Sequence, residues 1–497
     1  MDEKEVIALY GFRSKQEYIY RTNRMREITG ASELIAGMYS KFTAESPVSI
    51  DADWRNRAWS ELREAFDGAV VYEGGGNLCI LYRTHSAYVC ANRFFSRLIL
   101  DYAPGLGLIA ACVERTDDFG ADMKSLRTAF DAAKNSHLTP GFCNVLPFTL
   151  VDRATFQPVA IKQAVGGELV ESSRESVCKR EAYELMGSEK KLRGKFIDDI
   201  VDEKGKDSLI AVIYCDGNSI GQRLRKAMEG NGSLYSTNVE ALRDFSVKIH
   251  EAFVERPLAA IGSALSSQKE SRRGYRVVID HGDEITLVVN AHVVPTVIDT
   301  YLSSVEETDG LHACVGVAIC HSHDPFSEVY RIAEQCCESA KKKNRGEILR
   351  GGADASYVDF HYCRSGLTGS LDQIRGTQEA RFTLRPYPYR SADSSSVDLK
   401  TFFEFGGRLA KSALSRGDVK TLGNVILTNA SPDLANSSRF QLEIERLKTK
   451  EGAGDKTIEE MERVSGRLFT SLVFDISNFY DVWFAKDTEY TEGESGE

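Results

Sequence analysis

The hydrophobic pattern is densest at residues 275–290, YRVVIDHGDEITLVVN. Two runs rich in β-branched residues, 277–279 and 285–289, flank a short polar turn containing Gly282. This predicts a β-hairpin with Asp283 and Glu284 at its tip. Residues 70–77, VVYEGGGN, repeat the pattern of strand, glycine turn and strand. Setting Gly76 against Asp283 gives an offset of 207 (283 − 76), which also places Asn77 on Glu284 and Gly75 on Gly282. The same offset lays LGLIAACV (106–113) over ACVGVAIC (313–320), both buried-strand patterns. It sets DAAKNS (131–136) against ESAKKKNR (338–345), so that Lys134 falls on Lys341. A constant, ungapped offset across strand, hairpin and helix predicts two tandem copies of one module.

Within each copy the predicted order is strand, helix, hairpin, helix, strand, helix. The second copy opens with LIAVIYC (209–215), followed by Asp216, Gly217 and Asn218 and a helical run from Ser219. After the hairpin come a helix near 295–304, the strand 313–320 and a last helix from 326 to about 343. Such an order makes a mixed sheet with helices packed on it, an α+β fold laid out like polymerase palms and GGDEF cyclases. From about 397 to 484 apolar residues recur at three- and four-residue spacing, which predicts a C-terminal helical domain. Its aromatic stripes suit a core or a partner surface. Residues 351–394, rich in Ser, Gly and Arg, predict a mostly irregular connector. The expected division is 1–140 first palm, 141–207 inter-palm linker region, 208–350 second palm, 351–394 connector, 395–486 helical domain and 487–497 disordered acidic tail.

Composition adds boundaries to this picture. The chain of 497 residues has 42% hydrophobic and 27% charged residues, an ordinary globular balance for roughly three or four units. No apolar run approaches the ~20 residues of a membrane span, and the start, MDEKEV, is acidic rather than a signal peptide. The 11 cysteines include no C-x-x-C, which argues for reduced thiols in the cytoplasm and against a zinc ribbon. A net charge of −11 disfavours wholesale nucleic-acid binding and leaves room for a local basic site.

The chemistry turns on carboxylates. Asp216 lies at the C-terminal end of a predicted buried strand, where open α/β sheets place their ligands. If that strand neighbours the hairpin, Asp216 and Asp283 converge on Mg²⁺ against a nucleoside triphosphate. Lys341 and Arg345, four residues apart on the last helix, share a face from which both can reach phosphates. Singly, each of these has a plainer reading as a turn aspartate, a solvated turn or a solvated helix end; together in one module they favour the metal site. In the first copy the offset puts Leu9 in the place of Asp216 and Gly76 and Asn77 in those of Asp283 and Glu284. No carboxylate remains there to hold a metal. Its glycine turn (Gly74, Gly75, Gly76) lets backbone approach a ligand closely.

These residues resemble the large polymerase–cyclase subunit of type III CRISPR effectors and its stand-alone relatives. The first-palm signature is matched by KQEYIYRTNRMREITGASELIAG (15–37) and GGGN (74–77). The second palm is matched by CDGNSIG (215–221), HGDE (281–284) and VGVAICHSHDPFSEVYRIAEQCCESAKK (315–342), with VDFHYC (358–363) and RPY (385–387) beyond it. The resemblance implies synthesis of cyclic oligonucleotides, typically oligoadenylate from ATP, as an antiviral second messenger. It implies Asp216, Asp283 and Glu284 as ligands of Mg²⁺ or Mn²⁺. Nucleotide contacts would come from Gly217, Asn218, Ser219, Gly282, Lys341 and Arg345, with Gly75 and Gly76 from the first palm. Partners would be CRISPR-type protein subunits and guide or target RNA, away from any membrane.

Departures from the family pattern also follow. His281 replaces the first glycine of the tetrad, and Glu284 stands where aspartate is usual. The HD nuclease domain is expected to be missing, since the first palm begins almost at Met1. The linker region, which often carries a zinc module, has only Cys143 and Cys178, so a metal is not expected there. A nucleotide- or RNA-binding scaffold or sensor without turnover is the alternative, and His281 is its best argument. A diguanylate cyclase is weaker still, because its guanine-contacting asparagine would fall near Leu224.

Overall fold

The computed structural model describes residues 4–136, 148–165, 168–186, 200–203, 205, 207–228, 231–308, 310–364, 369–391, 397–428, 438–451 and 456–485. Cys143 and the acidic tail lie outside these residues.

Strand β1 (Val6–Arg13) is buried along nearly its whole length and pairs antiparallel with β3 (Asn77–Tyr82) on one side and β4 (Gly107–Glu114) on the other. With β2 (Gly68–Gly74) completing the hairpin, the order is β2-β3-β1-β4. The second sheet repeats it: β7 (Leu209–Gly217) lies between β9 (Glu284–Asn290) and β10 (Ala313–His321), with β8 (Tyr275–His281) beyond β9. Even a local irregularity is shared. The β2–β3 ladder bulges between Val70 and Tyr72, and the β8–β9 ladder between Val277 and Ile279, again 207 residues on (277 − 70). A bulge adds twist and re-aims the strand beyond it, so both turns leave their sheets in the same direction.

The ungapped offset does not hold on the inner strands. Asp216 pairs with Glu284 and Cys314, whereas in the first sheet the residue between Asn77 and Ile109 is Gly11. The offset there is 205 (216 − 11), so Gly11, not Leu9, occupies the place of Asp216, and Ile109 matches Cys314. A two-residue slip keeps every side chain on its own face of the sheet, so the apolar pattern cannot distinguish 205 from 207.

The connector is also more ordered than its composition predicts. Strand β11 (Tyr357–Tyr362) adds parallel to β10, β12 (Tyr387–Pro388) pairs with β11, and two helical pieces joined by a kink at Gly376 (φ 63°) span Leu371–Phe382. The strand was hidden by Asp359, a fully buried carboxylate in its middle that Arg375 pairs at 2.6 Å. Phe360 on the same strand packs against Phe402, Phe479 and Trp483, with ring centroids 5.4, 4.7 and 4.9 Å away. The aromatic stripe of the C-terminal helices is therefore core, continuous with one face of the second sheet.

Within the linker region a hairpin, β5 (Val159–Val165) and β6 (Glu168–Ser173), leads into the helix Arg174–Leu185, which lies on the helix Met25–Glu45. A Cβ at Gly30 would overlap the Lys179 carbonyl, so the close crossing needs glycine there.

The two palms share one apolar core. The helix Lys15–Tyr20 of the first meets the helix Phe326–Leu349 of the second: Tyr20 and Tyr330 rings lie 4.2 Å apart, and Gln16 Nε2 donates to Glu334 Oε1 at 2.9 Å. From the second palm's helix Tyr235–His250, buried Arg243 donates to the Val71 carbonyl at 3.2 Å, inside the first palm's bulge, and Ser246 Oγ to the Glu73 carbonyl at 2.9 Å. Among the described residues no helix is long and apolar enough to cross a membrane.

Candidate active site between the palms

Antiparallel pairing puts Asp216, next to last on β7, directly opposite Glu284, the first residue of β9. Directly opposed residues have Cβ atoms about 5 Å apart, so two carboxylates share one small patch. The Gly217 N–H donates to the Asp283 carbonyl at 3.2 Å and ties the turn to the strand end. A Cβ at Gly217 would lie 3.0 Å from the Asp283 Cβ and 2.9 Å from Ile220, so its lack of side chain makes room for Asp283. Gly282 supplies the left-handed conformation of the turn (φ 64°).

Lys341, on the helix Phe326–Leu349, pairs with Asp216 at 2.7 Å. Burial pulls the Lys341 ammonium down, but the attraction of Asp216 outweighs it and holds the group above its ordinary range. Burial raises the Asp216 carboxyl, and Lys341 offsets only part of the effect. Asp283 is raised to about 6 by burial and by the field of Asp216. Glu284 is raised to about 7 by the same two causes, with Lys15 of the first palm opposing them. Three hard acceptors thus crowd a site where their mutual repulsion is not fully neutralised, a donor set suited to a divalent cation. The oxygens of the three do not all approach within 4.8 Å of one another among the described residues; Asp216 is drawn toward Lys341 instead.

The other expected contacts divide. Asn218 turns inward, where its Nδ2 donates to Asp354 Oδ1 at 3.0 Å and to the Ala355 carbonyl at 2.9 Å; it braces the strand end. Ser219 takes a left-handed conformation (φ 56°) that starts the helix Ile220–Met228 and leaves it exposed. Arg345 is 64% exposed and pairs with Glu338 at 3.3 Å, one turn beyond Lys341. The backbone of His281 ends β8 opposite Glu284, while its side chain lies outside the described residues.

The two glycine turns meet. A Cβ on Gly282 would lie 3.4 Å from the Gly75 nitrogen, and Gly75 and Gly76 are both left-handed (φ 58° and 71°). Two cavities border the joined tips. One, about 550 Å³, is lined by Asp283, Gly75, Asn77, Lys15 and Lys134; the other, about 420 Å³, by Gly76, Tyr39, Trp54 and Asp280. Lys15, which follows Ser14 in a left-handed conformation (φ 48°), reaches the Gly76 carbonyl at 3.4 Å. No periodicity marks this lysine, because its role depends on the other palm's position.

The chain also matches solved structures along most of its length. It aligns with Csm1 of T.onnurineus at 12% identity and a TM-score of 0.51, over 95% of this chain and 70% of that one. It has the Csm1 fold. A Csm1–Csm4 cassette in complex with pppApApA matches at 13% identity and a TM-score of 0.53, over 96% of this chain and 69% of the other. A Csm1–Csm4 subcomplex of the type III-A CRISPR-Csm interference complex matches at 12% and 0.51, over 96% and 70%. The Csm1 fold accounts for both the α+β class and the C-terminal helical region. No protein-family model and no curated protein matches the chain.

Proposed function

We propose that this chain is a nucleotide-binding subunit of a CRISPR-type effector that condenses ATP into cyclic oligonucleotides. The observation that carries this reading is the pairing of Asp216 with Glu284 at adjoining strand ends, next to Asp283, which lines a cavity together with the first palm's Gly74 and Gly75. Csm1–Csm4 cassettes of the same fold hold pppApApA and cA3, which supports an oligoadenylate product. Asp216, Asp283 and Glu284 would hold Mg²⁺ or Mn²⁺. Such an ion, when bound, activates a ribose hydroxyl and neutralises a pyrophosphate leaving group.

The chain's own groups do the rest. Partial burial lowers the polarity around the carboxylates, Gly217 keeps Asp283 seated, and Lys341 supplies a cation that can pass from Asp216 to a phosphate. The first palm offers backbone, through Gly75 and Gly76, where the second offers acid.

Incubating the protein with each nucleoside triphosphate and Mg²⁺ or Mn²⁺, and resolving products by mass spectrometry, tests the reading. Cyclic or linear oligoadenylate with released pyrophosphate is expected. Nucleotide binding without any product would favour a scaffold or sensor, a reading supported by the Lys341–Asp216 pair that now neutralises one ligand.

A further inference from the structure

Polar groups join the helix that carries Lys341 to the strand end that carries Asp216 at two levels. The first is the ion pair itself, at 2.7 Å. The second runs through Asp354, in the turn between that helix and β11. Asp354 Oδ1 accepts from Asn218 Nδ2 at 3.0 Å and from Asn344 Nδ2 at 2.8 Å. Asn218 stands two residues beyond Asp216 and Asn344 three beyond Lys341, spacings that keep each pair on one face of its element. Arg223 Nη2 donates to Asp354 Oδ2 at 3.0 Å from the helix Ile220–Met228, whose Ile220, Gly221 and Leu224 line the larger cavity. One carboxylate thus ties together three elements of the second palm's side of the site.

Both amides are fixed in this role. Asn344, 3% exposed, also accepts from the Ala355 N–H at 3.2 Å, and Asn218, 4% exposed, also donates to the Ala355 carbonyl at 2.9 Å. Asn218 Oδ1 accepts no hydrogen bond among the described residues, so the side chain is held by its two donated bonds alone. A buried donor left without its acceptor costs more than an ordinary hydrogen bond, so loss of the Asp354 carboxylate forces strand end and helix to repack. Arg223 balances the charge of Asp354, which leaves little field to reach the metal ligands. What Asp354 passes to the site is therefore spacing. A phosphate held at the strand end stands on the strand's side of the gap, and a helix that moves off carries Lys341 away from it and from Asp216 alike.

We propose that Asp354 is a positioning residue of the second palm: through Asn218 and Asn344 it holds the helix at the distance from which Lys341 reaches Asp216 and, after it, a phosphate. The step to phosphate rests on the reading of the cleft as a nucleotide site; the spacing does not.

Acylation of Lys341 reports the spacing without turnover. A lysine must shed a proton to react, and Asp216 holds that proton in place. With the nucleotide-free full chain and acetic anhydride, peptide mass spectrometry gives the rate at Lys341 relative to Lys343, which pairs with Glu347 on the same helix. Asp354→Asn should raise this ratio about fivefold, Asp216→Asn at least as much, and the double variant no further than Asp216→Asn alone. A ratio that Asp354→Asn leaves unmoved, as when the whole helix loosens and both lysines react faster, would overturn the inference, and so would effects that multiply in the double variant. In steady-state kinetics Asp354→Asn should raise the KM for ATP about threefold, and add nothing once Lys341 is replaced by alanine. An unmoved KM, or an equal rise in the Lys341→Ala background, would overturn the step to phosphate while leaving the cleft a nucleotide site. No product from the unaltered chain would overturn the broader reading, and the acylation ratio would still decide the spacing.

Discussion

The two palms are built on one plan and differ in what they tolerate. They share strand order, a bulge at the matching residue and a glycine at the turn, yet only the second keeps acid at its strand end. There burial and mutual repulsion raise Asp283 to about 6 and Glu284 to about 7, so that at neutral pH their charge opposes folding. The first palm fills the equivalent space with Phe130 against Gly11. A buried carboxylate cluster costs stability, and the difference shows which palm bears that cost and which has repacked.

The sharpest way to break this contrast is to remove acid from the second palm. Asp283→Asn or Asp216→Asn should lower product formation more than about 100-fold, and the double variant should be little worse than either, because the groups act as one site. Product yield by mass spectrometry checks both; undiminished turnover in either would end the metal assignment.

Next in size is Gly76→Val. Gly76 has a left-handed φ of 71°, and a Cβ there would overlap Lys15 Nζ. Linkage of two nucleotides should fall more than about tenfold, while one ATP still binds at the second palm. Normal product at normal rate would reduce the first palm to a brace.

Lys341→Ala should raise the KM for ATP about tenfold with a smaller change in kcat, since an ammonium on phosphate acts on ground and transition states alike. Arg345→Ala, on an exposed pair with Glu338, should change KM less than about twofold. Steady-state kinetics of the two variants separate the helix face into a contacting and a solvated turn.

The smallest effect is on stability. Asp283 in the folded chain titrates near 6, above its ordinary 3.8, so the native state holds its proton more tightly than the unfolded chain. Its contribution is therefore present below about pH 4 and lost as pH rises through about 6. Asp283→Asn should raise the unfolding midpoint at pH 8 by roughly 1–3 °C, corresponding to about 1–2 kcal/mol, and give no gain near pH 4. Scanning calorimetry at the two pH values checks the sign.

Much of this was legible in the chain. β-branched runs around glycine marked both hairpins, and Asp216 does stand opposite Glu284, next to Asp283 in the turn. The match to Gly11 was not, because a slip of two residues leaves the apolar pattern unchanged. Strand β11 escaped notice because its buried Asp359 reads as loop until Arg375 is seen beside it. Asn218 carried a ligand-like position, but the bond it makes to Asp354 is set by chain 136 residues away. Lys15 opens the segment that resembles the first-palm signature, but nothing local in the sequence shows its reach to the Gly76 carbonyl or its pull on Glu284.

The joined turns also act as a ruler. Where Gly75 faces Gly282, the wall between the flanking cavities is largely glycine backbone, with Phe12 and Ser246 the side chains that line both. Side chains around the cleft can drift over generations and change what each flank grips. The glycine part of that wall can drift less, because a Cβ on Gly75, Gly76 or Gly282 would meet a left-handed backbone that side chains rarely adopt.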